Sequence, residues 1–236
     1  MAEPRKPAQT ARTPVRSRGR RSVAAPRPAR RTQAERTATT RAQLVSATID
    51  CLYETSYGAT TLAEIARRAG VSLGALQHHF KTRNEIVLAA LKHAISLYFQ
   101  PYDVVAKADL SPAQRVSALV ALLSKYFLSK EAVAVGTLWL ATRGEEGLHD
   151  SVRDCYHEVS RGLRERWRNL FADCDYDRKR FVAAYSVFLH SLRGFQTHYL
   201  MRPEQSDVDQ FLEGARAVLL DALELRPQQA RAAKRT

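Results

Sequence analysis

A short run of side chains between Leu73 and Gln77 has residue types that suit contact with the edges of DNA bases. Gly74 and Ala75 are small enough to let a helix backbone approach a groove closely. The amide of Gln77 can make two parallel hydrogen bonds to N6 and N7 of adenine, and Leu73 or Ala75 can touch a thymine methyl group. These types at this spacing therefore indicate base contacts in the major groove.

Imidazole and cationic side chains follow this run directly, at His78, His79, Lys81 and Arg83. Such groups are suited to DNA phosphates, which position a protein on the duplex but carry no sequence information. We therefore expect these four residues to anchor the run against the DNA backbone, while the preceding residues select the bases.

Two short helices joined by a tight turn must hold these side chains. Thr61 and Glu64 have the spacing of a capping box, in which Thr61 accepts from the Glu64 N–H and the Glu64 carboxylate reaches back. Gly70 follows where a left-handed backbone is least costly, and Ser72 is a second N-cap that opens a helix over residues 73 to about 79. In a helix-turn-helix, the second helix enters the major groove with its N-terminal residues first.

The apolar residues of this stretch predict which side of each helix is buried. The predicted inward positions are Leu62, Ile65, Ala66 and Ala69 in the first helix, and Val71, Leu76 and Phe80 around the second. The alternative is a plain helical hairpin inside an all-α core. That alternative would leave Leu73 exposed without a reason, so the pattern favours DNA binding.

The same stretch resembles the DNA-binding signature of the tetracycline-repressor (TetR) family. The residues that carry the resemblance are Thr60-Thr61-Leu62, Ala69-Gly70-Val71-Ser72 and Gly74-x-Leu76-x-His78-His79-Phe80. It extends over about residues 37–93, and the rest of the chain is similar to the family only in its layout of helices.

The resemblance also implies roles for individual residues. It implies phosphate contact by Thr61, base-facing positions at Leu73, Gly74 and Gln77, and phosphate-facing positions at His78, His79 and Arg83. The family usually has Tyr where this chain has Gln77, so Gln77 either reads a base or reaches phosphate more weakly. For the whole protein, the family implies a homodimeric repressor that binds a palindromic operator in double-stranded DNA. A small-molecule effector would enter the C-terminal domain and shift the fourth helix.

Helical spacing continues through the rest of the chain, and no strand pattern or internal repeat is present, so we predict an all-α fold of about nine helices. The first helix runs from about Arg36 to Thr55, with Gly58 as its C-terminal stop. Thr82 and Glu85 form a further capping box that opens a long helix, which Pro101 should kink or end. The predicted domains are a three-helix DNA-binding domain at 37–93 and a ligand-binding and dimerisation domain at 94–225.

The last two predicted helices, at about 177–201 and 207–225, are apolar on two faces. A helix of this kind must bury both faces, and we expect the second face to meet another subunit, so that the chain forms a homodimer. The alternative is that both faces lie in the chain's own core. Aromatic residues with polar tips line ligand sites, and the candidates for an effector pocket are Tyr126, Trp139, Tyr156, Tyr185, Phe188 and His190.

The net charge of +13 is concentrated in the tails. Residues 1–41 carry twelve Lys and Arg against two acids, and residues 226–236 carry four and none. We expect residues 1–36 to be a disordered basic tail, because they cannot bury enough apolar surface to fold, and residues 226–236 to be a second basic tail. A sequence-independent, architectural DNA-binding protein driven by the Arg-rich N-terminal arm is therefore the alternative function.

Other classes of function find little support in the sequence. The seven histidines form no convincing metal site, and no catalytic triad, P-loop or dinucleotide fingerprint is present, so we expect neither an enzyme nor a cofactor. No apolar run approaches the roughly 20 residues that a membrane span needs, so we expect no membrane partner. The three cysteines, Cys51, Cys155 and Cys174, have no paired spacing and are expected to be reduced in the cytoplasm.

Overall fold

A computed structural model describes residues 32–223 of the chain, and these residues form nine α-helices and one 3-10 turn, without a β-strand. The predicted all-α class and helix number are therefore confirmed for this part of the chain. The helices are α1 Gln33–Glu54, α2 Leu62–Ala69, α3 Leu73–His79, α4 Arg83–Lys107, α5 Pro112–Phe127, α6 Lys130–Ala141, α7 Glu146–Leu170, α8 Arg178–Met201 and α9 Gln205–Ala222, with the 3-10 turn at Thr142–Gly144.

Helix α1 begins earlier than the sequence analysis predicted. Its N-cap is Thr32, whose N–H donates to the Glu35 carboxylate at 2.7 Å while the Glu35 N–H donates to the Thr32 hydroxyl at 3.2 Å. This capping box satisfies two backbone donors, so residues 33–36 are helical and the predicted tail, 1–36, is too long at its C-terminal end. The disorder predicted for residues 1–31 and the second tail at 226–236 lie outside the described residues.

Helix α1 ends within one residue of the predicted Thr55, but not through the predicted glycine stop. The last helical residue is Glu54, and Thr55 closes the helix by donating its N–H to the Cys51 carbonyl. Gly58 is therefore not the C-terminal stop, and among the described glycines it is Gly70 that has a positive φ. The turn after α1 is fixed instead by Tyr57, whose side chain is buried.

Helix α4 continues through Pro101 to Lys107, so of the two predicted effects of this proline, a kink or an end, the end does not occur. Proline lacks the N–H that would pair with the Leu97 carbonyl, which costs about 3 kcal/mol in a helix interior. On the same side of the helix, Tyr102 and Val105 are almost completely buried in the C-terminal core. Since full burial of each such side chain contributes roughly 1.5–3 kcal/mol, packing outweighs the lost hydrogen bond.

Three clusters of buried side chains hold the helices together. The first joins α1, α2, α3 and the start of α4, around Leu44, Ile65 and Leu76. The second joins the opposite faces of α1 and α4 to α6 and α7, around Ile49 and Leu138. The third is the core of the C-terminal helices. The predicted domain boundary at residue 93 thus falls inside the continuous helix α4.

None of the helices within residues 32–223 is both long enough and apolar enough to cross a membrane.

Candidate nucleic-acid interface and ligand cavity

The α2–turn–α3 unit has the local geometry that the sequence predicts. The Thr61 hydroxyl accepts from the Glu64 N–H at 3.2 Å, and the Ser72 hydroxyl accepts from the Ala75 N–H at 3.1 Å. Gly70 ends α2 with φ 66° and ψ 30°, in the left-handed region. This sharp reversal, which glycine adopts without strain, sets the angle between the two short helices.

The reciprocal half of each predicted capping box is wrong. The Glu64 carboxylate does not return to the Thr61 N–H but accepts from Arg67 at 2.7 and 2.8 Å and from Arg68 at 2.7 Å. Hydrogen bonds from these arginines hold the pKa of Glu64 at about 2. Two guanidinium groups outcompete one backbone amide, because each brings a positive charge to the carboxylate and the neutral amide does not.

The second box fails in a similar way. The Thr82 hydroxyl accepts from the Glu85 N–H at 3.2 Å as predicted, but the Glu85 carboxylate accepts from the Lys81 N–H at 2.7 Å instead of from Thr82. This bond ties the residue after α3 to the first turn of α4. It therefore fixes where the Lys81 side chain leaves the backbone.

One face of α3 is buried and the other is open. Leu76 and Phe80 are almost completely buried, whereas the side chain of Leu73 is 43% exposed. The exposed face consists of Leu73, Gly74, Ala75, Gln77 and His78. A large aliphatic residue and an amide therefore face solvent on a short helix whose opposite side is anchored in the core.

Gly74 is informative because the fold does not require it. A Cβ atom built at this position would meet no heavy atom within 4 Å, and the backbone there is ordinary helix. Glycine inside a helix costs roughly 1 kcal/mol relative to alanine, and no contact within residues 32–223 offsets this cost at Gly74. The absence of a side chain there leaves room for the close approach of a partner such as DNA.

The predicted phosphate-facing residues separate into two groups. His78 and Lys81 are exposed, and His79 is partly buried, so these three side chains remain at the surface beside α3. Thr61 is also exposed at the N-terminus of α2. These placements are compatible with backbone contacts, and Arg83 is the exception.

Arg83 is turned into the protein. Its Nε donates to the Thr60 carbonyl at 2.8 Å, and its Nη2 donates to the Tyr57 carbonyl. The guanidinium carbon lies 3.8 Å from the centre of the Tyr57 ring. Its Nη1 is 3.9 Å from the Glu145 carboxylate. The prediction that Arg83 faces phosphate is therefore at odds with this geometry, in which Arg83 clamps the turn between α1 and α2.

Arg41 is a cation near α3 that the sequence analysis missed. It is exposed on α1, and its guanidinium carbon lies 4.2 Å from the centre of the Phe80 ring at the end of α3. Its only signal in the sequence was its place in the basic N-terminal segment. The contact through Phe80 adds Arg41 to the candidate phosphate ligands.

A cavity of about 100 Å³ lies among α4, α5, α6, α7 and α8. Four of the six predicted pocket residues line it: Tyr126, Trp139, Tyr156 and His190. An outer groove of about 450 Å³ between α7 and α8 shares part of this lining, including Tyr156, Ser160 and His190. The cavity therefore continues toward the surface.

The other two predicted pocket residues lie elsewhere. Tyr185 lines only the outer groove, and its hydroxyl group is hydrogen-bonded to that of Tyr102. Phe188 is buried in the C-terminal core, with its ring centre 6.5 Å from that of Phe211 on α9. Helical spacing could not separate these positions, because both lie on the buried side of α8.

Arg193 is a cavity residue that the sequence analysis missed. It lies on α8, one turn after His190, and its guanidinium carbon is 3.7 Å from the centre of the Trp139 ring. Burial lowers the pKa of this guanidinium below its usual range. Within the described residues, no group of three or more His, Cys, Asp or Glu side chains is placed to hold a metal ion.

The helix-turn-helix is similar in sequence to a known family of regulators. Residues 44–90 match the family model described as "Bacterial regulatory proteins, tetR family". Residues 44–90 therefore form a DNA-binding domain of the TetR-family type. The match covers the second half of α1, all of α2 and α3, and the first two turns of α4, which are the elements that build the surface described above.

Curated relatives match the TetR-family domain more than the rest of the chain. The regulator BetI of Serratia proteamaculans is 40% identical over 83 residues, which are 34% of this chain and 42% of that protein. CymR of Pseudomonas putida is 43% identical over 65 residues, or 28% of this chain and 32% of that one. The chain thus spans less than half the length of the first curated relatives that it matches. Both of these relatives are named HTH-type transcriptional regulators.

Solved structures extend the likeness in fold beyond the TetR-family domain. A transcriptional regulator from Rhodococcus superimposes with a TM-score of 0.65 at 18% identity, over 79% of this chain and 99% of that one. The multidrug binding protein EbrR, solved in complex with imidazole, gives a TM-score of 0.53 at 18% identity, over 80% and 97%. At these identities the likeness concerns the fold alone.

Proposed function

We propose that this protein is a sequence-specific DNA-binding transcriptional regulator, and that it acts as a homodimeric repressor released from its operator by a small molecule. The observation that carries the proposal is the open face of α3. There an exposed Gln77 stands near Gly74, where a Cβ atom would meet no heavy atom of the described residues within 4 Å. Such a face fits the major groove, where a glutamine can pair with adenine.

The homodimer rests on α8 and α9. Val187 on α8 is 61% exposed and Val218 on α9 is 49% exposed. Gly194 and Gly214 lie on the same two helices, and a Cβ atom at either would meet nothing within 4 Å. Apolar and small residues spaced by seven and by four positions share a helix face, and two such faces pack closely in a helical bundle.

Release by an effector rests on the position of the cavity. Helix α4 begins at Arg83, beside α3, and carries Tyr98 into the cavity wall without interruption. A ligand that binds the DNA-incompetent arrangement more tightly shifts the population toward it, and the shift cannot exceed that difference in affinity. EbrR, which has the same fold, is described as a multidrug binding protein, and this supports a ligand site in these helices.

The test is selection of bound sequences from a random DNA pool, followed by measurements on the selected site with Gln77→Ala. We expect this variant to lose roughly 1–3 kcal/mol of binding free energy and to discriminate less at one base pair. Gln100→Ala, which removes an exposed glutamine from the distal half of α4, should bind like the wild type. Unchanged binding of Gln77→Ala to every sequence would show that this residue does not read DNA.

The alternative, an architectural DNA-binding protein driven by the N-terminal arm, is separated from the proposal by a deletion. Residues 1–31 should be removed rather than 1–36, since Thr32 caps α1. We expect the shortened protein to select the same sequence with lower affinity and a shallower dependence on salt. Loss of sequence selection together with affinity would support the architectural function instead.

A further inference from the structure

We propose that Arg193 is the anchor for the carboxylate of a small, largely apolar monoanion, so that the effector is an organic acid with a ring or a short chain. The inference rests on the proposed function, because it names the chemical class of the ligand for the same cavity. It is carried by the surroundings of Arg193, which differ from those of comparable arginines in the described chain.

Five arginines within residues 32–223 are partly buried, and four of them have oxygen partners. Arg68 pairs with two glutamates, Arg83 donates to two carbonyls, Arg115 pairs with Asp173, and Arg166 lies 3.6 Å from Asp103. The guanidinium of Arg193 has no carboxylate or carbonyl partner among the described residues, and it lies over the rings of Trp139 at 3.7 Å and Phe127 at 5.8 Å.

The charge of Arg193 is therefore uncompensated by any acid of the described chain, at the wall of a cavity. Buried charges in proteins are normally paired, because removing an ion from water without a partner is costly. The aromatic faces offset part of this cost through cation–π attraction, and burial still lowers the pKa of the group. A carboxylate in the cavity would accept two hydrogen bonds from the planar guanidinium and supply the missing charge.

The walls of the cavity define the rest of the ligand. Tyr98, Tyr126 and Trp139 present aromatic surface, and Ser160 and His190 present polar groups at the side shared with the outer groove. A cavity of about 150 Å³ holds benzene. The cavity here is smaller, about 100 Å³, but it opens into the outer groove, so the apolar part of the ligand can be about one ring in size. Larger, rigid polycyclic compounds would not fit without displacement of helices.

An aromatic cavity could instead attract a quaternary ammonium compound, since aromatic cages bind such cations. The position over the face of Trp139 is, however, already taken by the guanidinium of Arg193. A second cation in a cavity of about 100 Å³ would lie close to this charge and be repelled. The geometry therefore favours an anion over a cation.

The test measures ligand binding by the full-length protein without DNA, using thermal shift and calorimetry. The probes are benzoate, phenylacetate and hexanoate, each paired with its neutral amide, together with benzyltrimethylammonium. We expect at least one carboxylate to bind saturably and at least tenfold more tightly than its amide. Arg193→Gln should weaken that carboxylate roughly 10- to 100-fold and leave amide binding unchanged, as expected for the loss of charge-assisted hydrogen bonds.

The matched control is Arg168→Gln, which removes an arginine that lines the outer groove but not the cavity. It should bind the carboxylate like the wild type. The melting temperature without ligand reports whether each variant folds. If Arg193→Gln does not fold, Arg193→Lys, which keeps the charge but not the planar donor pair, should bind the carboxylate more weakly than the wild type.

Three outcomes would overturn the anchor: no carboxylate binds better than its amide, Arg168→Gln abolishes binding while Arg193→Gln keeps it, or the ammonium probe binds best. The proposed function is tested separately, by DNA binding to the selected site. Sequence-selective DNA binding without a carboxylate preference would refute the anchor alone. A carboxylate held by Arg193 in a protein that selects no DNA sequence would refute the proposed function and leave the anchor standing.

Discussion

Replacing Arg83 by glutamine distinguishes a clamp within the fold from a contact to DNA. The guanidinium donates to the carbonyls of Tyr57 and Thr60, and it covers the Tyr57 ring at 3.8 Å. A hydrogen bond to a charged group contributes roughly 1.5–3 kcal/mol, and a partly exposed cation–π contact adds roughly 0.5–1 kcal/mol. Because these contributions are not additive, we expect Arg83→Gln to destabilise the protein by about 2–4 kcal/mol in total.

A loss of this size should lower the melting temperature by roughly 5–15 °C, since 1 kcal/mol corresponds to about 2–4 °C in a chain of this length. The assay compares thermal unfolding with the salt dependence of DNA binding. Lys81→Gln is the control, because Lys81 is exposed beside α3. It should leave the melting temperature unchanged and reduce the slope of log K against log salt by about 0.9 for each Lys81 that contacts a phosphate. If Arg83→Gln reproduced the behaviour of Lys81→Gln, Arg83 would be a phosphate ligand and the clamp would be refuted.

Two further predictions concern hydrogen bonds to the carboxylates of Glu64 and Glu145, in and beside the DNA-binding domain. Hydrogen bonds from Arg67 and Arg68 lower the pKa of Glu64 to about 2 in the folded protein. The ionised Glu64 therefore stabilises the fold at a pH above its unfolded pKa of about 4.5, and this stabilisation is lost as the pH falls toward 2. Glu64→Gln should therefore melt below the wild type at pH 7, and the gap should close between pH 4.5 and 2; a constant gap would contradict the assignment. Tyr57 donates to Glu145 across the two domains, and a double-mutant cycle of Tyr57→Phe with Glu145→Gln should give roughly 0.5–2 kcal/mol of coupling in urea unfolding. The exposed Asp150–Arg153 pair should give less than about 0.5 kcal/mol in the same cycle.

The helix-turn-helix could be predicted from the sequence because its signals are local. Thr61, Gly70 and Ser72 each act on atoms within four residues of themselves, and each does in the structure what its residue type suggests. The side chain of Glu64 could not be predicted equally well. Its carboxylate could accept from a backbone amide or from two arginines, and which donors it pairs with depends on side-chain rotamers that the sequence does not specify.

Long-range contacts explain what the sequence did not reveal. Ile49 is 2% exposed because one face of α1 packs on α6, a contact that helical spacing alone does not reveal. Arg193 was not among the predicted pocket residues, and only the fold brings it to Trp139. In the same way, Arg83 follows His79 and Lys81 in sequence but contacts the turn before α2 in space. Each of these roles is decided by a partner 23 or more residues away.

The connections between the two domains suggest how an event in the cavity reaches α3. Helix α4 supplies one rigid connection by continuity, from Tyr98 in the cavity wall to Arg83. Helix α6 supplies a second one, since Trp139 lies under Arg193 at one end and Lys130 pairs with Asp50 of α1 at 2.5 Å at the other. Because α1, α3 and α4 contribute side chains to one buried cluster, we expect a displacement of α6 relative to α4 to be felt at α3. Under the proposed function, a ligand that drew Arg193 away from Trp139 would act through these two connections, and its effect on DNA binding would be limited by how much more tightly it binds the displaced state.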